Sequence, residues 1–270
     1  MKTIADKPEV SVVTAVRNGS ETIRDCIESV QGQSYPVEHV IIDGGSTDGT
    51  LEIIEEYRSN LSVVISEPDL GIYDAMNKGI RFATGDVIGT LNADDFYAHD
   101  RVIARVAQEF ANQIVDASYS DLNYVASCDT RRVVRVWRSR KYRAGGFYRG
   151  WMPPHPTFFV RRKVYERYGG FDLGLGSAAD YELMLRFLLK HRINAVYIPE
   201  VLVNMRCGGV SNRSLKNRLL ANRMDRQAWK VNRLTPHPWT LLVKPIRKID
   251  QYLLPFIQKL GSLLQKSFTV

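Results

Sequence analysis

Apolar residues in the first hundred positions fall into short dense runs separated by glycine-bearing polar turns and by stretches with an apolar residue every third or fourth position. Val10-Ser11-Val12-Val13-Thr14-Ala15-Val16 reads as a buried strand, and Ile23, Ile27 and Val30 follow at helical spacing. The unit repeats over 37–43, which ends in Asp43. The turn Gly44-Gly45-Ser46-Thr47-Asp48-Gly49 then opens a helix over 50–58. A third strand is predicted over 61–66, a third helix over 73–83 and a fourth strand over 87–92. Strands alternating with helices predict an α/β fold with a mostly parallel sheet and right-handed crossovers.

Past Asp95 the rhythm changes. A helix over 100–110 precedes strand-like segments over 117–125 and 133–137, which suit an antiparallel addition to the sheet. A strand over 157–160, a short helix, a loop over 169–177, a helix over 178–191 and a last strand over 194–198 follow.

This pattern sets carboxylates at strand ends. Asp43, Glu67 with Asp69, and the adjacent pair Asp94-Asp95 share one predicted edge, the side on which open α/β sheets bind ligands. Asp43 alone reads equally well as a turn former, and Asp48 as the cap of the helix that starts at Thr50. Asp94 and Asp95 repel each other. Such a pair persists most easily beside a bound cation, and capping explains it less well, because Asp100 stands closer to the next helix.

Composition narrows the classes. Length suits one catalytic-sized domain with appendages. The net charge of +8 is uneven: residues 201–270 hold 13 basic and 2 acidic side chains, whereas the first 200 hold 24 and 27. The body is thus slightly acidic. A second basic stretch, 131–167, sets 12 Lys or Arg against Glu166 alone. Cys26, Cys128 and Cys207 lie far apart with no metal-ligand spacing, which suits a reducing compartment. Residues 1–9 are polar and lack the features of a signal peptide, and no apolar run reaches the roughly 18 residues of a membrane span. The expectation is a cytoplasmic location. The first loop lacks GxGxxG, and no GxxxxGK[ST] occurs, which disfavours dinucleotide and P-loop chemistry.

Four segments, 11–19, 40–50, 71–79 and Leu91-Asn92-Ala93-Asp94-Asp95, resemble in order and spacing the bacterial family 2 glycosyltransferases. The resemblance covers roughly residues 10–210 and is most specific in the first hundred. It implies a GT-A fold, Rossmann-like with helices on both faces of the sheet, and an inverting transfer assisted by a divalent cation, Mn2+ or Mg2+. The implied donor is a nucleotide-diphosphate sugar, uridine-linked on family frequency.

By residue, the resemblance implies donor contacts from Thr14, Val16, Asn18, Asp43, Asp69, Tyr73, Asn77, Lys78, Asn92 and Asp94. It implies metal contacts from Asp95 and Asp94, and Asp180 as catalytic base. Asn92 stands where many members have Asp, but keeps an oxygen acceptor. Ala179 replaces the usual Glu before Asp180. Glu182, two residues on, should face another side of the helix. Trp151, His155 and Tyr181 are the expected acceptor contacts, although a lone histidine is often structural. Lys78 reads either as a phosphate contact or as part of a solvated helix face. The segment 204–211 has no late histidine for the metal, so Arg206 or Ser211 is a candidate phosphate contact.

The expected organisation is a GT-A catalytic domain over 1–212 and a basic amphipathic helical extension over 213–270. Within the domain, a nucleotide-sugar half extends to about 99 and an acceptor half occupies about 100–212. In the extension, Leu253, Leu254, Phe256, Ile257, Leu260, Leu263 and Leu264 nearly fill one helical face beside Lys259 and Lys266. That stretch suits an anionic membrane surface, or a helix docked on the body or on a second copy in a homo-oligomer. Nucleic acid is disfavoured, since no recognition motif accompanies the charge. The implied acceptor is a glycan or lipid-linked glycan, as in polysaccharide or lipopolysaccharide biosynthesis. A nucleotide-sugar-binding subunit with impaired catalysis is the alternative that Ala179 and the missing histidine suggest.

Overall fold

The computed structural model describes residues 7–208, 215–246 and 251. Its first hundred residues realise the predicted alternation: β1 (Val10–Val16), α1 (Ile23–Gln31), β2 (Val37–Asp43), α2 (Thr50–Glu56), β3 (Val63–Ser66), α3 (Ile72–Phe82) and β4 (Val87–Thr90). β1 pairs in parallel with β2 and with β4, and β2 with β3. Side-chain alternation along these strands divides the core in two. Val13, Ala15, Val40, Ile42 and Ile88 face α3, while Val12, Val16, Ile41, Val87 and Leu91 join the cluster containing α1 and the later helix α4 (Val102–Phe110). The sheet is therefore covered on both faces.

The second half joins this sheet through β8 (Phe159–Arg161), antiparallel to β4. The contact is close enough that a Cβ at Gly89 would lie 2.3 Å from the Phe159 ring, so glycine is required there. β8 also pairs antiparallel with β6 (Ala117–Ala126), which carries the hairpin strand β7 (Asp129–Trp137). β6 runs parallel to β9 (Ala195–Arg206), far longer than the expected 194–198. α5 (Arg162–Tyr168) follows β8. The expected helix over 178–191 is split into α6 (Ala179–Met184) and a π-helical turn over Leu185–Lys190.

The strand missed by periodicity is β5 (Asp95–Tyr97), antiparallel to β9, with Asp95 opposite Met205. The order of the sheet is β3-β2-β1-β4-β8-β6-β9-β5. β5 thus lies four places from β4, about 19 Å away in a flat sheet. Five residues of chain reach about 17 Å at most, and these are turned, Asp95 N donating to Asn92 O at 3.0 Å. The sheet must curl to bring its far edge back beside β4.

The described part of the basic extension is built onto the body. α7 (Leu215–Val231) and α8 (Thr240–Ile246) contribute Ala228, Trp229 and Leu241 to the core cluster of α3 and α6. Trp229 is fully buried, Thr240 Oγ1 donates to Tyr148 O at 2.6 Å, and Lys244 Nζ bonds Asp225 at 2.7 Å. No helix among the described residues is long and apolar enough to cross a membrane. The predicted apolar face over 253–264, and Ser211, lie outside the described residues.

Candidate functional site

The carboxyl ends of β1, β2 and β3 are stitched to one another by the residues that sequence reading placed there. Asn18, at φ 51°, donates its amide to Ser46 Oγ (2.7 Å) and accepts from Thr47 N (2.9 Å). Asp43 is fully buried. Its carboxylate receives Gly45 N at 3.1 Å, Ser46 N at 3.0 Å, Ser66 Oγ at 2.6 Å and the Ser46 hydroxyl. The turn-forming reading describes Asp43 as seen here. Asp48 accepts from Thr50 N (3.2 Å) and Ser20 N (3.1 Å), and the Thr50 hydroxyl holds its carboxyl down at about 2; the cap position of α2 is taken by Gly49 instead, so Asp48 braces the turn before the helix. Asp69 accepts from Gly71 N at 2.8 Å and lies so near Gly44 that a Cβ there would sit 2.2 Å from Oδ2.

Several donor contacts implied by the resemblance are otherwise engaged. Thr14 is fully buried, its hydroxyl 2.9 Å from His39 Nε2 and 3.7 Å from Cys26 Sγ. Val16 is buried and its carbonyl accepts from Gly44 N. Asn77 clamps Phe171, donating to its carbonyl at 2.9 Å and accepting from its amide at 2.8 Å. Lys78 bonds Pro68 O at 3.1 Å, Glu67 at 2.8 Å and Asp74 at 3.6 Å at the partly exposed edge of α3. Asn77 and Lys78 face opposite neighbours and act on the rim through the loops they hold.

β4 ends at Thr90, whose hydroxyl lies 3.4 Å from His155 Nε2. His155 packs edge-on against Phe171, with ring centroids 5.5 Å apart, and Tyr73 packs on the same ring at 5.2 Å. Asp180, half-buried on the first turn of α6, interacts with both. Burial first and then its charge push the Tyr73 phenol up, so that hydroxyl stays protonated and faces Asp180 as a donor. Burial lowers the His155 pKa, opposed by Asp180, so the imidazole is neutral at pH 7. Tyr73, Thr90, His155 and Asp180 thus gather at one strand end.

Tyr181 is a correction. Tyr181 is 2% exposed, and its hydroxyl accepts from Trp229 Nε1 at 3.0 Å. One helical step of about 100° separates it from Asp180, so it faces the body when Asp180 faces the rim. Trp151 packs within 5.3–5.8 Å of Tyr119, Tyr142 and Phe147 as part of an aromatic cluster. It stays partly exposed at the edge of the core.

The acidic pair has its own surroundings. Asp95 is fully buried and its Oδ1 has no partner. Oδ2 receives the Asn92 amide at 3.1 Å. The working atom of Asn92 is therefore its nitrogen, a donor that Asp could not supply, not the retained oxygen. Burial, then the charge of Asp94, raise the Asp95 carboxyl well above the usual range, against the pull of Asn92 and Arg206. Burial raises Asp94 as well. Arg206 is not available to a phosphate: it donates to Asp94 O at 2.9 Å, pairs with Asp25 and lies 4.9 Å over Phe96.

Two carboxylates, one with an orphaned buried oxygen, form a hard-oxygen donor set that suits Mg2+ or Mn2+. No cluster of three potential ligands occurs among the described residues. Mg2+ ordinarily takes one or two carboxylates and completes its shell with substrate phosphates and water, so the residues present fit that mode.

Sequence reading missed Thr90, Phe171, Arg186 and Asn232. The spacing of Glu182 and Arg186 is a readable i,i+4 ion pair. Glu182 is 2% exposed and held by Arg186 at 2.8 Å, which removes it as a substitute base.

The sequence model described as Glycosyl transferase family 2 matches residues 11–169, more than half of the chain. An uncharacterized glycosyltransferase of Mycobacterium tuberculosis is 31% identical over 186 residues, covering 67% of this chain and 70% of its own. A PGL/p-HBAD biosynthesis glycosyltransferase of Mycobacterium bovis is 29% identical over 219 residues, covering 76% and 80%. Two solved structures share the fold. The mannosyltransferase PcManGT from Pyrobaculum calidifontis, in complex with GDP-Man and Mn2+, superposes with a TM-score of 0.63 at 20% identity, over 98% of this chain and 76% of that one. S. aureus TarS 1-349, in complex with UDP-GlcNAc, gives 0.62 at 17% identity over 80% of this chain. The match spans 65% of that TarS fragment, just under two thirds.

Proposed function

The chain belongs to glycosyl transferase family 2, and from that premise we propose a cation-assisted, inverting transfer of a sugar from a nucleotide diphosphate to a hydroxyl of a glycan or lipid-linked glycan. The observation that supports it is the gathering of Asp180, Tyr73, His155 and Thr90 at the end of β4, the strand that runs on into Asp94 and Asp95.

The residues divide the chemistry between two sides of the sugar. Asp180 accepts the proton of the attacking hydroxyl as the bond from its oxygen to the anomeric carbon forms. The bond from that carbon to the diphosphate oxygen breaks in the same step, so the configuration inverts. Tyr73, kept protonated, stands beside the Asp180 carboxylate, and neutral His155 offers a hydrogen bond to an incoming hydroxyl. Asp94 and the orphaned oxygen of Asp95 would hold the cation, which supplies neutralisation of charge building on the departing diphosphate.

The neighbours bound to UDP-GlcNAc and to GDP-Man define the donors to try first. With Mn2+ present, one nucleotide sugar of a panel including both should raise the Tm by about 5–10 °C at one hundred times its Kd. A panel that produces no cation-dependent shift would refute the donor assignment.

Action at the cytoplasmic face of a membrane is part of the same reading, supported by the excess of basic residues over 201–270. Vesicles containing phosphatidylglycerol should then carry the protein upward in a flotation gradient at low salt and release it at high salt. Equal recovery with neutral vesicles would argue against an electrostatic membrane contact.

A further inference from the structure

The first turn of α6, which carries Asp180, is held from a part of the chain some fifty residues downstream. Two separate links reach it from the end of α7. In the first, Asn232 Nδ2 donates to Glu182 Oε1 at 2.9 Å, and Asn232 is itself 3% exposed. Glu182 receives Arg186 at both oxygens, Nε at 2.8 Å and Nη2 at 3.0 Å, a bidentate pair inside the protein. Arg186 also donates to the carbonyls of Tyr168, Gly169 (3.1 Å) and Gly170. Those carbonyls are the root of the loop that leads through residues 171–178 into Asp180. In the second link, fully buried Trp229 donates from Nε1 to the Tyr181 hydroxyl at 3.0 Å.

The two residues after Asp180 are thus each bonded to α7, while the loop before it is fastened by Arg186, whose carboxylate partner is the one that Asn232 touches. Asn77 clamps the same loop at Phe171 from the donor side. The Asp180 carboxylate is the group of this segment that is left facing Tyr73 and His155. Removing Asn232 deprives a buried carboxylate of a donor and loosens the pair that fixes the loop root.

We propose that Asn232 and Trp229 are positioning residues for Asp180, which makes the end of α7 part of the catalytic apparatus. This inference rests on Asp180 being the general base. Neither residue touches substrate. They set where the carboxylate stands, and a base misplaced by about 1 Å costs turnover by as much as a hundredfold.

Asn232→Ala and Trp229→Phe, each in the full chain, test the link in two ways. Amide hydrogen exchange should quicken about tenfold or more over 169–180 and stay at wild-type rates in β1 to β4. Unchanged exchange over 169–180 would overturn the inference whatever the activity. With Mn2+ and UDP-GlcNAc or GDP-mannose, release of the nucleoside diphosphate should show kcat lowered about tenfold with donor KM within twofold of wild type. A parallel loss in kcat and KM, or faster exchange throughout the chain, would mark a merely structural contact and overturn it too. Asp180→Asn keeps the two readings apart: wild-type turnover in that variant removes the base assignment, while wild-type exchange in Asn232→Ala removes the link.

Discussion

Asp180→Asn is expected to lower turnover about a thousandfold while donor affinity stays at the wild-type level. The amide has nearly the volume of the carboxylate and keeps an oxygen toward Tyr73, but it cannot accept a proton. Neither Glu182 nor Tyr73 is free to take over. Glu182 is enclosed by Arg186 and Asn232, and Tyr73 is held in its protonated form by burial. The donor's diphosphate side depends on a different part of the sheet end, so calorimetric titration of the donor should return the same Kd for both proteins. A donor affinity that falls in step with turnover would show that Asp180 belongs to the donor site instead.

Asp95→Asn should act in the opposite sense on two properties, stabilising the metal-free protein and removing its response to the cation. The folded-state carboxyl titrates well above its ordinary value because it is buried beside Asp94. Its contribution therefore favours folding below the unfolded pKa, near 3.9, and is lost as the pH rises through the raised folded pKa. Above that point the metal-free protein carries an ionised carboxylate with an unpartnered oxygen. Asn avoids the ionisation, so the variant's Tm should exceed the wild type's at pH 8 and the gap should close toward pH 4. Mn2+ should raise the Tm of the wild type alone, and donor affinity in Mn2+ should fall at least about tenfold in the variant. Equal Mn2+ responses in the two proteins would eliminate Asp95 as a cation ligand.

The alternation of strands and helices up to β4 was legible because β1, most of β2 and β4 are buried on both faces and the helices on one, which prints directly into the periodicity. β5 was not, because three residues that begin with a buried aspartate carry no period at all. Asp94 and Asp95 stood out as candidate chemistry because a carboxylate pair after an apolar run is a local pattern, whereas Asp180 was singled out by the family resemblance alone. The task of Asn77 was not legible, because its partner is a loop brought close only by folding: Phe171 lies 94 positions away. Tyr181 was misjudged by proximity in sequence, where one helical step decides the direction. The hold of Asn232 on Glu182 spans 50 positions and leaves no trace in either segment.

The curl of the sheet limits how this enzyme can open. Strands β4 and β5 are neighbours along the chain but are separated in the sheet by β8, β6 and β9, so the acidic pair sits on a short tether that closes a rolled surface. Two lobes swinging apart like a clamshell would have to tear either the tether or a strand pairing. Access for substrates is therefore by way of the rim rather than by parting of two halves. The glycine-bearing stretch over 169–178 is fastened at its root by Arg186 and at Phe171 by Asn77, with Gly174 and Gly176 exposed on the rim beyond.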